Sequence, residues 1–332
     1  MKWLKRILKI AAVLAVVLAV SALFVWMHGV QYTLAFATGG FGKPYFDVAP
    51  FVATPNCGGT APCESGPLKV MSYNVLCRIC DSEGYDDWDN RIPHLRDMIE
   101  RYDPDLLGLQ ELGGDQDIAQ FLGMFPQYAC VSYEFGPWSY ADAALFFRSD
   151  RFEVLDSGQM WLSPKPTLPF GFGWKPLSMP RYVNWVYLRQ TSNGFRFLYV
   201  NTHFDNNGAN KEPSAFLFAE TFRPIAAQMP IVATGDFNTD SMARRYENIK
   251  NGNDGPVFAD TMELAPNAEV VHNAPSGVDP ATSLQRTIDH VFLGGPQKNE
   301  ILRWVQDDSV YGPDRRRPSD HPAIFTEINL RQ

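Results

Sequence analysis

The chain has 332 residues, of which 45% are hydrophobic and 20% charged, enough apolar material for a large core and too little charge for a disordered chain. Its net charge is −8, and removing the four positive charges of the first thirty residues (Lys2, Lys5, Arg6, Lys9) leaves −12 on the remainder. That balance argues against extended nucleic-acid binding, where Lys and Arg neutralise phosphates, but leaves room for a small phosphorylated substrate held through a metal.

Residues Ile10 to Met27 are apolar apart from Ser21. At about 1.5 Å per residue such a helix spans roughly 27 Å, close to a bilayer core. Basic residues precede it and none follows until Lys43, which places the N-terminus in the cytoplasm and the rest outside. A cleaved signal peptide is the competing reading, but its small-residue site, Ala35-Phe36-Ala37, lies late. We therefore read residues 1–30 as an uncleaved anchor, 31–67 as a Gly/Pro-rich tether and 68–332 as one folded domain, periplasmic if the cell is bacterial. An extracytoplasmic chain permits disulfides, with Cys57–Cys63 and Cys77–Cys80 as local pairs and Cys130 left over. Cys77-x-x-Cys80 could instead be a redox or zinc motif, but zinc would need a second such pair or a nearby histidine cluster, and neither is present, so that reading is set aside.

Leu68 to Val75 reads as a buried strand ending at Asn74. Trp88, Ile92, Leu95, Ile99 and Tyr102 recur at helical spacing, and Asp103-Pro104 stops that helix. Asp105 to Leu112 is the next strand, with Glu111 at its end, followed by strands over Ala143–Arg148 and Val183–Arg189. An aromatic, Pro-rich loop from Met160 to Met179 separates these two. Phe195 to Thr202 leads into His203, and Glu212 to Gln228 contains a helix. The stretch Met229 to Asp240 follows, a short apolar run broken by Gly235 that delivers Asp236 and Asn238 at its end. Thr287–Leu293 and Ala323–Leu330 close the sheets, so strands and helices interleave as in an α/β or α+β protein with mixed sheets.

Taken singly, Asn74 is a turn residue, Glu111 a surface acid, His203 a structural histidine and Asp320-His321-Pro322 an ordinary loop. In order, Ser72-Tyr73-Asn74-Val75, Leu109-Gln110-Glu111, Asn201-Thr202-His203, Gly235-Asp236-Phe237-Asn238, Ile288-Asp289 and Pro318-Ser319-Asp320-His321-Pro322 form a series. That series resembles the endonuclease/exonuclease/phosphatase superfamily over about residues 68 to 330. It is similar in particular to a bacterial subgroup, through Arg151-Phe152, Trp161-Leu162-Ser163, Trp174, Pro180-Arg181, Trp185 and Asn201 to Asp205. It departs from the subgroup at Asn206, at Ala281 to Leu284 and at His290, which bears on substrate more than on chemistry. The resemblance implies a four-layered sandwich of two packed mixed β-sheets flanked by helices, with the site at one end.

The residues also make chemical sense without a family. Hydrolysis of a phosphoester needs a hard cation, Mg²⁺ or Mn²⁺, on oxygen ligands, and Glu111 with Asn74 offers them. Asp236 is the candidate general base, with Asn238 orienting water or phosphate. His203 and His321 supply donors to the developing charge; Asp320 orients or charges His321 or joins a metal shell, Asp289 pairs with a histidine in the same way, and Arg181 is a candidate phosphate clamp. Tyr140 and Asp142, which sit where the family often has another active-site residue, are left outside this set. These expectations describe a membrane-anchored phosphodiesterase or phosphatase acting on a small or lipid-linked phosphoester. An exported nuclease on DNA or RNA and a non-catalytic tethered binding module are the alternatives.

Overall fold

The computed structural model describes residues 2–37, 64–80, 84–133, 141–169, 171–175, 178–271, 284–295 and 299–331. The proposed pair Cys57–Cys63 and Tyr140 lie outside these residues. Helix α1 (Lys2–Ala37) kinks at Gly29, where φ is 82°. Its segment Lys5–Trp26 is long and apolar enough to cross a membrane, and none of it is buried.

The elements that follow are β1 (Glu64–Asn74), α2 (Trp88–Tyr102), β2 (Leu106–Leu112), α3 (Asp115–Met124), β3 (Tyr128–Val131), β4 (Ala141–Arg148), β5 (Phe152–Trp161), β6 (Tyr182–Gln190) and β7 (Arg196–His203). After them come α4 (Gly208–Ala226), β8 (Ile231–Asp236), α5 (Arg244–Asn251), β9 (Phe258–Asp260), α6 (Thr261–Leu264), β10 (Ala268–Val271), β11 (Asp289–Gly294), β12 (Glu300–Asp307) and β13 (Ala323–Arg331). One sheet runs β10-β12-β13-β1-β2-β4-β3 and the other β5-β6-β7-β8-β11-β9. Both are mixed, and helices cover their outer faces, which is the expected four-layered sandwich.

Strand alternation builds the layers. From β1, Met71 and Tyr73 join Leu95, Ile99, Leu107 and Phe121 under α2 and α3. Leu68 and Val70, one residue out of phase, join Leu188, Phe197, Val232 and Ile324 between the sheets. The outer face of the second sheet packs Leu198, Val200 and Ala233 against Phe218 and Phe222 of α4 and Ile249 of α5. Helix α2 ends where expected, with Asp103 in the left-handed region and its N–H on Ile99 O.

The structure adds what periodicity missed. β1 starts at Glu64, because Glu64 already pairs with Arg331 of β13. Met160 and Trp161 belong to β5 and not to the loop after it. Strand β12 carries no clean period-2 signal, because its pairing with β13 shifts between Ile301 and Arg303.

Toward one end the layer between the sheets turns polar. Gln110 donates to Asn201 Oδ1 at 2.7 Å, Thr234 donates to the same oxygen at 3.0 Å, and Asn201 donates to the carbonyls of Leu109 and Ala144. The sheets approach closely there: a Cβ added at Gly108 would lie 2.1 Å from Thr234 Oγ1. These bonds satisfy the buried Asn201 amide and lock the two sheets in one alignment. The site forms at this same end.

Candidate active site

β1 and β2 are parallel, as are β7 and β8, so both pairs finish at one end of the sandwich. β4, β11 and β13 run antiparallel to neighbours in these pairs and therefore begin there. Strand ends and strand starts thus deliver polar side chains to one place. In the second sheet a single rung carries three of them, since Asp236 stands beside His203 on one side and Asp289 on the other. In the first sheet, Glu111 and Asp142 fall opposite each other between the pairs Gln110–Ala143 and Leu112–Ala141.

Asp236 is at the centre and only 2% exposed. Its Oδ1 accepts from Asn238 N at 2.8 Å. Its Oδ2 accepts from Asn74 Nδ2 at 3.2 Å and lies 3.3 Å from His203 Nε2 and 3.7 Å from His321 Nε2. Burial pushes this carboxyl up, but the two imidazoles and the Asn238 and Asn74 donors outweigh it and hold it below the usual range. Asp236 is therefore an anion at neutral pH.

Each histidine is held from behind. His203 Nδ1 lies 2.8 Å from Asp142 Oδ1, and His321 Nδ1 lies 2.7 Å from Asp289 Oδ2. Burial alone would lower both imidazoles, yet the facing carboxylates raise His203 and raise His321 well above the ordinary value. Asp289 is itself raised, by burial and by the neighbouring Asp236 charge, against the pull of His321.

Asn74 links the sheets. Its amide nitrogen donates to Glu111 Oε1 at 2.9 Å as well as to Asp236, while its oxygen accepts from Leu76 N. Cys77 N donates to the other oxygen, Glu111 Oε2, at 3.1 Å. Leu76, Glu111 and Asn238 all have positive φ, of 56°, 68° and 48°. Three non-glycine residues in the left-handed region around one site represent roughly 1–3 kcal/mol of strain each, held by the surrounding fold.

Other predicted residues sit differently. Arg181 is ion-paired to Asp142, so it also braces His203 from behind. Asp320 is exposed and its side chain meets Ser319 Oγ at 3.4 Å; the carboxylate on His321 is Asp289. Asn238 Nδ2 is engaged by Phe204 O at 2.9 Å, which fixes the turn after β8. Asp142, set aside in the sequence, belongs to the site. It heads the apolar strand β4 as Asp289 heads β11, and an acid at the start of a buried run was the available signal. Ser319 was also missed; its hydroxyl donates to Asn74 O at 2.6 Å and ties the His321 loop to β1.

The donor set fits a hard cation. Glu111 is partly exposed, and Asp289 Oδ1 is buried without a hydrogen-bond partner among the described residues. Asp236 and Asp289 each bring a carboxylate oxygen within 4.8 Å of the other, beside the raised imidazole of His321. Oxygen-rich donors of this kind suit Mg²⁺ or Mn²⁺.

Comparison with solved structures places the chain in known company. A family protein from Bacteroides thetaiotaomicron aligns with a TM-score of 0.68 and 26% identity, over 81% of this chain and 98% of that one. A mannosyl-6-phosphatase of the same organism gives 0.68 and 27%, over 79% and 99%. The human Nocturnin catalytic domain with bound sulfate shares the fold at a TM-score of 0.60 and 20% identity, over 79% and 94%. A comparison with curated protein sequences finds no match. The model of the Endonuclease/Exonuclease/phosphatase family matches residues 71–321, which reach from the β1 strand before Asn74 to His321, and the chain belongs to that family.

Proposed function

We propose that this chain is a membrane-anchored, metal-dependent phosphoester hydrolase whose catalytic domain lies outside the cytoplasm. Its substrate is a small or lipid-linked phosphoester. The observation that carries this reading is the convergence of Asp236, His203, His321, Asn74 and Glu111 from both sheets on one end. Asp236, kept anionic between two imidazoles, takes the proton of the attacking water. His321, held cationic by Asp289, donates to a phosphoryl oxygen as charge builds there. His203, braced by Asp142 and through it by Arg181, supports the opposite side of Asp236. Glu111 is the proposed ligand for a divalent cation, which when bound neutralises the phosphoryl oxygens and the leaving group. Asn74 positions Glu111; to ligate a cation itself it would have to turn its amide over and give up Leu76 N.

Several features support the substrate class. The mannosyl-6-phosphatase among the similar structures bears a name that points to a sugar phosphate. The chain after the anchor is acidic, and four arginines around the site are engaged by acids: Arg78 with Asp117, Arg181 with Asp142, Arg316 with Asp86 and Arg317 with Asp308, while Lys211 stands near both Arg245 and Asp236. The engaged arginines offer less to a polyanionic strand than free ones would. The four basic residues before the apolar run from Ile10 to Met27 support the orientation.

The test is Mg²⁺-dependent hydrolysis by the full chain in detergent. The panel holds a hexose 6-phosphate, an inositol phosphate, a phospholipid, a generic diester, plasmid DNA and RNA. Turnover on a small or lipid phosphoester should fall by about 10³-fold or more in Asp236→Asn. Near-wild-type turnover in that variant would sink the mechanism. Cleavage confined to DNA or RNA and collapsing with salt would make this an exported nuclease instead.

A further inference from the structure

The loop that follows Asn74 holds chemistry that hydrolysis does not use. Cys77 and Cys80 are joined in a disulfide, their Cα atoms 5.1 Å apart. Cys77 is buried and its N–H holds Glu111 Oε2, while Cys80 is exposed with its sulfur 3.8 Å from the same oxygen. The sulfurs and a Glu111 oxygen all lie within 4.8 Å of one another. Two cysteines at Cys-x-x-Cys spacing form half of a zinc site, and Glu111 of the next strand stands beside them as a third ligand.

We infer that Cys77, Cys80 and Glu111 form a redox-gated site for a thiophilic divalent cation such as Zn²⁺. With the disulfide closed, the sulfurs are not thiolates and Glu111 offers only hard oxygen. A dithiol reductant attacks the exposed Cys80 Sγ, the Sγ–Sγ bond breaks, and Cys77 leaves as a thiol after taking a proton. The second thiol of the reductant then displaces Cys80 and the reductant departs as a disulfide, so two electrons and two protons have passed to the protein. Both thiols lose their protons to solvent as the metal–sulfur bonds form. Tetrahedral zinc with bonds of about 2.3 Å to sulfur sets the two sulfurs about 3.8 Å apart, within the reach of this cluster.

The surroundings suit such a gate. Ile79, between the cysteines, is 85% exposed and gives a reductase an apolar foothold beside Cys80. A hollow of about 230 Å³, lined in part by Ile79, Cys80, Tyr85 and Trp88, opens alongside. The loop is also anchored without the disulfide. Arg78 Nε pairs with the buried Asp117 at 2.8 Å, and Arg78 Nη2 donates at 2.7 Å to Gln120, which Trp88 also holds. Reduction therefore frees the sulfurs while leaving them beside Glu111.

Because Glu111 is shared with the proposed hydrolytic site, zinc held here would displace the harder cation; this consequence, unlike the site itself, rests on the proposed function. The test titrates Zn²⁺ into the full chain in detergent, oxidised or reduced with a phosphine, against a chromophoric zinc indicator. Co²⁺ then serves as a spectroscopic probe. The reduced protein should bind zinc at least 100-fold more tightly than the oxidised one and show thiolate-to-cobalt charge-transfer absorption. Both should vanish in Cys77→Ser/Cys80→Ser, and the affinity should fall about tenfold or more in Glu111→Gln. Equal zinc affinity in both redox states, or tight binding that survives the double serine variant, would overturn the site. Zinc that tracks the cysteines yet leaves Mg²⁺-dependent turnover unchanged would uphold the site and overturn the assignment of Glu111 to the hydrolytic cation.

Discussion

Residues 289 and 290 are neighbours on β11, yet they serve two regions of different kind. Asp289 faces the gap between the sheets and holds His321 at 2.7 Å. His290 faces the other way, into the aromatic layer of Phe237, Tyr246 and Phe292, and is held by Asp260 at the same 2.7 Å. Both are histidine–aspartate pairs with raised imidazoles. What separates them is the second ring nitrogen. His290 Nε2 is taken by Thr239 O at 2.9 Å, and the side chain is 1% exposed. His321 Nε2 points toward Asp236, and its side chain is 15% exposed. A paired histidine is thus no sign of chemistry by itself; a pair whose far nitrogen meets another reactive group at an accessible end is.

The sharpest way to break this contrast is to remove each imidazole. His321→Ala should lower kcat by about 10²–10³-fold, the scale of a lost transition-state donor, with the folded structure retained by circular dichroism. A loss under threefold would put His321 in the same structural class as His290. Removing the carboxylate behind the other site histidine should cost less. Asp142→Asn should lower kcat/KM by about 10–100-fold. It should also move the basic limb of the pH profile to lower pH, because His203 loses the carboxylate that raises it. An unshifted limb would mean that His203 does not act as a cation.

The smallest effect on turnover belongs to His290→Gln, expected within twofold of wild type but destabilising by about 1–3 kcal/mol. The folded imidazole is raised by Asp260 and by Thr239 against the lowering effect of burial. Its contribution is therefore complete below its unfolded value of about 6.5 and is lost as pH rises through the folded value. Urea midpoints for wild type and variant should differ more at pH 6 than at pH 9. A gap that widens with pH would reverse the sign and show that His290 is buried neutral.

Much of this was legible in the chain itself. The apolar runs of β1, β2, β7, β8 and β11 and the 3.6-period stripe of α2 mark elements by local pattern. The order of polar residues at the ends of those runs, and the resemblance of that order to a family's series, grouped Asn74, Glu111, His203, Asp236, Asp289, Asp320 and His321; of these Asp320 proved exposed. β12 and the true start of β1 were not legible, since a register shift hides the one and pairing with the last strand of the chain creates the other.

Who pairs with whom was decided by tertiary structure alone. Sequence adjacency offers Asp320 to His321, but rung alignment and sheet stacking bring Asp289 there from 32 residues away. Arg181 sits where a phosphate clamp could be imagined, and the fold joins it to Asp142 from 39 residues away. The Cys77–Cys80 loop carries half a metal site, and only the parallel pairing of β1 with β2 sets Glu111 beside it. The physical reason is common to all three. A strand's pattern states which face each residue takes, with a period of two, but hydrogen-bond register and the stacking of one sheet on another choose its neighbour across the gap.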